Sequence, residues 1–260
     1  MQPSHPYLAL PSPVPIAHRG GDAVWPQNTM TAFAGAVGLG CQYLETDVRA
    51  TADDKLVVFH DPTLDPVSDS AGAVDELTWD EVSRARVAGT EPIPLLDDVL
   101  DAWPDVRVCI DPKADSAVVP LIKALRRPGV LERVCVGSFS DERLARLDAE
   151  FGPAVCLGMG PREIVRFRLG SLLRRRPGNT PRYRANTLQI PVRQYMVPLA
   201  TAGVVRYAHA HGIDVHVWTI DDPTEMSRLL DKGVDGIITA EPKVLLDVLR
   251  GRGQWPPVAG

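Results

Sequence analysis

The sequence predicts one α/β architecture, a (β/α)8 barrel with a small insertion after its second strand. Three observations predict it. Short apolar runs alternate with helix-length stretches eight times, a count and a length of 260 residues that suit such a barrel. Each apolar run is separated from the next by a helix, and strands joined in that way run parallel. No G-x-G-x-x-G follows the first run, which weighs against an open, doubly wound sheet.

The elements follow in order. Residues 1–13 read as a short arm, and the barrel proper as 14–252, with 253–260 as a tail. The first strand is 14–17, and the helix at 29–39 opens on Asn28-Thr29, side chains suited to capping. The second strand is 43–48. Lys55 to His60 then gives an extra strand-like run, and a polar, turn-rich passage follows it. The whole of 50–94 is too long for an ordinary βα loop, so it reads as an insertion on the face where barrels build their sites. A helix at 95–102 leads to the third strand, 106–110, and one at 115–126 to the fourth, 133–137. Ser140-Asp141 starts the helix at 141–150, ahead of the fifth strand at 154–158. Helix 161–173, strand 187–190 and helix 198–211 come next, with Gly212 at a helix stop. Strand 215–219 is followed by a helix at 223–232, started by Asp222-Pro223 and stopped by Gly233. Strand 236–239 and helix 241–250 complete the count.

Composition excludes several classes. With 45% hydrophobic and 23% charged residues the chain buries a core rather than staying disordered. A net charge of −5 leaves no general nucleic-acid footprint, and no nucleic-acid partner is expected. No apolar run approaches the ~20 residues of a bilayer helix. The N-terminus has neither a basic start nor an apolar stretch of signal-peptide length, so a cytoplasmic location is expected. Cys41, Cys109, Cys135 and Cys156 are widely spaced and form no C-x-x-C pair, which reads as buried free thiols.

The reactive side chains gather at strand ends. His18-Arg19-Gly20 ends the first strand, Glu45-x-Asp47 lies on the second, His60-Asp61 ends the extra run, and Asp111-Pro112-Lys113 ends the third. Residues two apart on a strand point the same way, so Glu45 and Asp47 share a face. Two carboxylates aimed into a barrel repel each other unless a cation compensates. Individually each motif has a bland alternative: a surface histidine, a satisfied loop histidine, a simple Asp–Lys ion pair. Together they fit phosphodiester cleavage, with hard carboxylate oxygens for Mg²⁺ or Ca²⁺, cations for the phosphate and histidines as acid and base.

The string HRGGDAVWPQNTMTAF, followed by YLETDVRATADDKLVVFHDPTLD, resembles the glycerophosphodiester phosphodiesterase family. PIPLLDDVL, CIDPK, VWTIDD and GVDGIIT extend the resemblance from about residue 14 to residue 249. It implies a (β/α)8 barrel that hydrolyses small glycerophosphodiesters to an alcohol and sn-glycerol 3-phosphate with a divalent cation, Mg²⁺, Ca²⁺ or Mn²⁺. By position it makes His18 and His60 the acid/base pair and Glu45, Asp47 and Asp111 the metal ligands. Arg19 and Lys113 then face the phosphate, and Trp218 lines the pocket. Three positions depart from the family pattern. Gln27 replaces a glutamate and is expected to weaken the support around Arg19. Asp111 replaces a longer glutamate, and Ala240 replaces an aspartate.

Two further readings compete with hydrolysis of a small diester. A sphingomyelinase-D-like phospholipase forming a cyclic phosphate would need an apolar rim for acyl chains, and no exposed apolar loop stands out in the sequence. A non-catalytic phosphate- or lipid-binding barrel would fit the losses at Gln27 and Ala240. A basic stretch, Arg162, Arg166, Arg168 and Arg174 to Arg176 with Arg182 and Arg184 beyond it, reads either as a solvated face or as a border of the mouth that draws in anionic head groups or a membrane surface. His209, His211 and His216 are expected to have no metal role, and His5 carries no functional signal. No motif specifies an oligomeric state.

Overall fold

A computed structural model describes residues 4–173 and 183–255. In chain order the elements are β1 (Val14–Ala17), α1 (Met30–Gly38), β2 (Tyr43–Ala50), β3 (Leu56–Val58), α2 (Trp79–Val82), β4 (Arg86–Val87) and β5 (Glu91–Pro92). Then come α3 (Leu96–Ala102), β6 (Arg107–Pro112), α4 (Val118–Leu125), β7 (Val134–Val136), α5 (Asp141–Phe151), β8 (Cys156–Leu157) and α6 (Pro161–Leu173). The chain finishes with β9 (Thr187–Pro191), β10 (Arg193–Gln194), β11 (Val197–Pro198), α7 (Ala202–His209), β12 (Asp214–Trp218), α8 (Pro223–Leu230), β13 (Gly236–Thr239) and α9 (Pro242–Gly251).

The main sheet runs β8-β7-β6-β2-β1-β13-β12-β9, all parallel. Its two ends meet through a parallel bridge from Gly158 to Thr187, with Asn186 donating its backbone N–H to Leu157 at 2.8 Å and Met159 to Thr187 at 2.9 Å. The expected eight-stranded barrel is therefore present. Alternation sorts its side chains into two layers. Ala17, Leu44, Val136, Leu157 and Ile237 face the helices, whereas Ile16, Tyr43, Cys135, Cys156 and Ile238 fill the barrel interior. All four cysteines are buried and free.

Two segments differ from the sequence expectation. Strand β2 runs on to Ala50 because β3 returns antiparallel beside it, pairing Val48 with Val58 and Ala50 with Leu56. That return opens the insertion, which has its own core of Val57, Phe59, Leu64, Val82, Val87 and Ile93. The helix expected at 198–211 begins only after Thr201, whose hydroxyl caps it, and the β10–β11 hairpin occupies 193–198 instead. In the arm His5 is buried, accepting the Tyr7 N–H on Nδ1 at 3.1 Å with Nε2 at 3.1 Å from the Ala154 carbonyl. Among the described residues no helix is long and apolar enough to cross a membrane.

Candidate active site

Strand ends bring the reactive groups together. After β1 the backbone turns sharply, with Arg19 at φ 47° and Gly20 at φ 83°, both left-handed. A Cβ at Gly20 would lie 2.7 Å from that of Ala32, so only glycine lets the turn sit on α1. The turn sets His18 over the barrel and aims the Arg19 backbone N–H at Glu45 Oε2, 3.1 Å away. On β2, Glu45 and Asp47 face the same interior. Asp111 on β6 lies beside Asp47, its register partner. Beyond β3, Phe59 donates its backbone N–H to the Asp47 carbonyl at 3.0 Å, which carries His60 to the same end of the barrel. His18, Arg19, Glu45, Asp47, His60, Asp111, Lys113 and Trp218 all border one cavity of about 960 Å³. All eight residues singled out in the sequence are thus brought together.

Both histidines are held on Nδ1 by a neighbouring carboxylate. His18 Nδ1 is 2.8 Å from Asp22 Oδ1, and His60 Nδ1 is 2.9 Å from Asp61 Oδ1. Such a contact fixes the ring and makes Nε2 the proton-exchanging nitrogen; in His18 it lies 4.0 Å from Glu45 Oε2. The acids are unequally compensated. Asp47 is clasped by Lys113 Nζ at 2.7 Å and by Arg19 Nε at 3.0 Å, while Lys113 also reaches Asp111 Oδ2 at 2.8 Å. Burial alone would raise Asp47, but Lys113 and Arg19 outweigh it and hold the carboxyl below its usual range. Among the described residues Glu45 has no lysine or arginine side chain paired to it, only the Arg19 N–H and His18: burial, then the charge of Asp47, push it up to about 7. Burial also raises Asp111 against the pull of Lys113. For His18 burial works downward, but the Asp22 hydrogen bond and the charges of Glu45 and Asp22 lift the imidazole above its ordinary value.

The donor set suits a hard dication. Three carboxylates converge on one end of the barrel, and the suppressed ionisation of Glu45 is a cost that a cation would remove. Among the described residues, however, no three His, Cys, Asp or Glu side chains close on a common point. The Lys113 ammonium stands between Asp47 and Asp111 instead.

Several contributors escaped the sequence reading. Asn28, read there as a cap, leaves that task to Thr29, whose hydroxyl accepts the Ala32 N–H. The Asn28 amide donates to Asp47 Oδ2 at 3.1 Å and accepts from the Thr46 hydroxyl at 2.8 Å. Asp22 and Asp61 lie within the HRGGD and HD strings, and their proximity to the histidines was a usable signal. Phe139 meets Trp218 edge-on at 5.8 Å, with Lys113 Nζ 5.9 Å from its ring centre; nothing in the sequence marks it. Gln27 keeps the contact expected of the glutamate, accepting from Arg19 Nη1 at 2.5 Å, though as a neutral acceptor. At Ala240 the backbone N–H donates to Asp221 Oδ1 at 2.8 Å.

The rim corrects one expectation and divides another. An apolar border does exist: Val165, Leu169 and Leu172 of α6 and Tyr195 of the hairpin line the mouth. It escaped notice because α6 also has a buried apolar side, so its apolar residues read as core. Of the basic stretch, Arg168 lines the mouth, while Arg162 pairs with Glu142 and Arg166 with Glu163. Arg174 to Arg176 and Arg182 lie outside the described residues.

Comparison with known proteins agrees with this geometry. Residues 18–244 match the model of the glycerophosphoryl diester phosphodiesterase family. The chain is 39% identical to a probable glycerophosphodiester phosphodiesterase 2 of Mycobacterium tuberculosis, covering 97% of each. In structure it resembles a glycerophosphoryl diester phosphodiesterase described as putative, from Silicibacter pomeroyi (TM-score 0.79, 23% identity, 95% of this chain and 97% of that one). It also resembles a phosphodiesterase of Oleispira antarctica solved with its product sn-glycerol-3-phosphate (TM-score 0.75, 20% identity, 92% and 97% covered).

Proposed function

The chain belongs to the glycerophosphoryl diester phosphodiesterase family, and from that premise we propose that it hydrolyses glycerophosphodiesters to an alcohol and sn-glycerol 3-phosphate, with His18 and His60 as the acid/base pair. The observation that carries this is the meeting of two carboxylate-held histidines with three acids and two cations around one cavity. Arg19 and Lys113 bind the phosphate. Their side chains are only partly exposed, so the ion pairs they form there are poorly screened and favour charge building on phosphate oxygens. One histidine takes the proton of the attacking oxygen and the other gives one to the leaving alcohol, each through Nε2. The attacking oxygen belongs to water or to a neighbouring substrate hydroxyl; a cyclic phosphate among the early products marks the second route.

Glu45, Asp47 and Asp111 would hold a divalent cation, which supplies charge stabilisation to the phosphoryl oxygens when bound. Trp218 and Phe139 line the same pocket and position the diester. The test is release of sn-glycerol 3-phosphate from a panel of glycerophosphodiesters with Mg²⁺, Ca²⁺ or Mn²⁺ and with EDTA. Metal-dependent release that falls by roughly 10²- to 10⁴-fold in His18→Ala and in His60→Ala is expected. Release indifferent to both substitutions would overturn the assignment of the pair.

A further inference from the structure

One outer face of the molecule is at once apolar and strongly basic. Helix α6 meets the core on its inner side, where Ile164 and Phe167 pack inward. Its outer side is apolar too: Val165, Leu169 and Leu172, four and three residues apart, are 59%, 53% and 63% exposed. A surface helix ordinarily turns polar residues to water, so this outer stripe serves no packing within the chain. The β10–β11 hairpin stands beside it, joined by Arg168, whose Nε donates to the Pro198 carbonyl at 3.3 Å. Gln194 pairs with Val197, so Tyr195 and Met196 form a two-residue turn. Such turns favour Asn-Gly, and Tyr195 adopts φ 51°, a left-handed backbone that suits asparagine or glycine. The tip instead holds two bulky side chains, 91% and 85% exposed, which the stability of the turn does not explain. The charge around these residues is equally one-sided. From 161 to 200 the sequence holds nine arginines, no lysine and one acid, Glu163, a net of +8 in a chain whose total is −5. Arg168 also donates to the Ser171 hydroxyl, and among the described residues no acid pairs with it or with the exposed Arg193 that opens the hairpin.

We infer that this face docks on the surface of an anionic lipid bilayer, the hairpin tip and the outer stripe of α6 entering the interface and the arginines meeting lipid phosphates. Protruding apolar side chains set among cations match such a surface, where hydrocarbon lies just beneath a layer of negative head groups. Arginine suits both layers, since its stem packs against hydrocarbon while its guanidinium binds phosphate. A second copy of the chain is a poor occupant, because a two-fold contact would press one segment of net +8 against another. A nucleic acid would meet the arginines but leave the leucine, tyrosine and methionine side chains in water. Met196 and Arg193 stand outside the set of residues that borders the cavity, so the docking surface can be altered without touching the reacting groups.

The experiment is co-sedimentation of the full chain with vesicles of phosphatidylcholine, alone or mixed with phosphatidic acid, in EDTA so that no metal ion bridges protein acids to lipid. Binding is expected with the anionic vesicles only, and it should weaken as salt rises past the ~0.1 M at which charges are screened over about 10 Å. Arg193→Gln should lower the partition coefficient about fivefold. Met196→Asp should lower it at least about tenfold, while Met196→Leu keeps it. Release of sn-glycerol 3-phosphate from water-soluble glycerophosphocholine should be unchanged in all three variants. Failure of the anionic vesicles to sediment the chain would overturn the inference. So would equal binding by Met196→Asp and wild type, which would reduce the contact to charge alone. A dimer seen by light scattering that Met196→Asp disperses would give the face to a second copy, and tighter retention by single-stranded DNA than by the vesicles would give the arginines to nucleic acid. Sedimentation needs no turnover: if glycerophosphocholine is not cleaved, the phosphodiesterase reading fails, while the vesicles, with circular dichroism as the check of folding, still decide the docking surface.

Discussion

Asn28 shows how much of the site depends on residues that carry no chemistry themselves. It sits at φ 57°, a left-handed conformation that asparagine tolerates better than other non-glycine residues. From there one amide satisfies both Asp47 and the Thr46 hydroxyl, at 2% exposure. Asn28→Ala leaves Asp47 Oδ2 with the Arg19 ion pair alone and the buried Thr46 hydroxyl without its acceptor, a loss of about 1–3 kcal/mol, and frees Asp47 to turn from Arg19 and Lys113. We expect a lower urea midpoint together with a kcat/KM reduced by at least about tenfold; unchanged kinetics would mean that the two cations suffice to hold Asp47. The reacting groups themselves were legible. Histidines, acids and cations at strand ends are chemically conspicuous, and the i, i+2 spacing of Glu45 and Asp47 fixes their common face. Asn28 was not legible, because an asparagine just before a helix equally fits a cap, and only the three-dimensional turn shows that Thr29 caps while Asn28 looks inward.

At the scale of elements the strongest local constraint is a cap supplied from another helix. Asp141 begins α5 and is 3% exposed, yet its carboxylate accepts the backbone N–H of Arg162 at 3.0 Å and of Glu163 at 3.4 Å, at the start of α6. The Tyr183 hydroxyl adds a bond to the same carboxylate at 3.2 Å. Asp141→Ala removes these partners together and should cost about 2 kcal/mol by chemical denaturation, at the upper end for a lost cap; a loss under about 0.5 kcal/mol would show that α6 is held by its core side alone. A different constraint acts on β13, where a Cβ on Gly236 would meet the His216 ring at 2.8 Å and Val14 at 3.1 Å. Gly236→Ala overpacks the interior and should destabilise by about 1–3 kcal/mol, an effect that His216→Ala would relieve if the clash is with the ring. The eight strands and eight helices of the barrel were readable because burial on two faces of a strand, or along one stripe of a helix, imposes a period on the sequence. The β10–β11 hairpin imposed none: two-residue strands, exposed throughout, leave no alternation to detect. The apolar border on α6 was hidden for the opposite reason, since periodicity cannot tell an inward hydrophobe from one that lines the mouth.

The molecule as a whole is open at the end that carries the chemistry and stoppered at the other. Tyr7 and Leu8 enter the barrel from the arm, Tyr7 meets Tyr43 edge-on at 5.2 Å, and the Tyr43 hydroxyl donates to the Tyr7 carbonyl at 2.7 Å. Tyr7→Ala should therefore cost about 3–5 kcal/mol without altering kcat at temperatures where the variant remains folded. Tyr7→Phe should be neutral or slightly stabilising, because the buried hydroxyl has no hydrogen-bond partner among the described residues. Deeper in the same interior, His216 links this closed architecture to pH. Its Nδ1 has no hydrogen-bond partner among the described residues, and burial lowers its pKa to about 4, against a weak opposing pull from Asp235. The folded protein thus keeps the ring neutral where the unfolded chain, titrating near 6.5, protonates it. The contribution of His216 is constant above about pH 7 and falls away as pH drops from 6.5 toward 4, by on the order of 2–3 kcal/mol. Asp214, pushed up to about 6 by burial and by Asp235, acts with the opposite sign over part of that window. The quantity to measure is therefore the difference between wild type and His216→Gln in urea unfolding at pH 8 and at pH 4.5. Relative to wild type, the variant should gain 2–3 kcal/mol on going to the lower pH, whatever its packing cost at pH 8. A difference that does not change with pH would mean that water or a backbone rearrangement admits the proton, and that the barrel interior is less sealed than the arm and the ring above it imply.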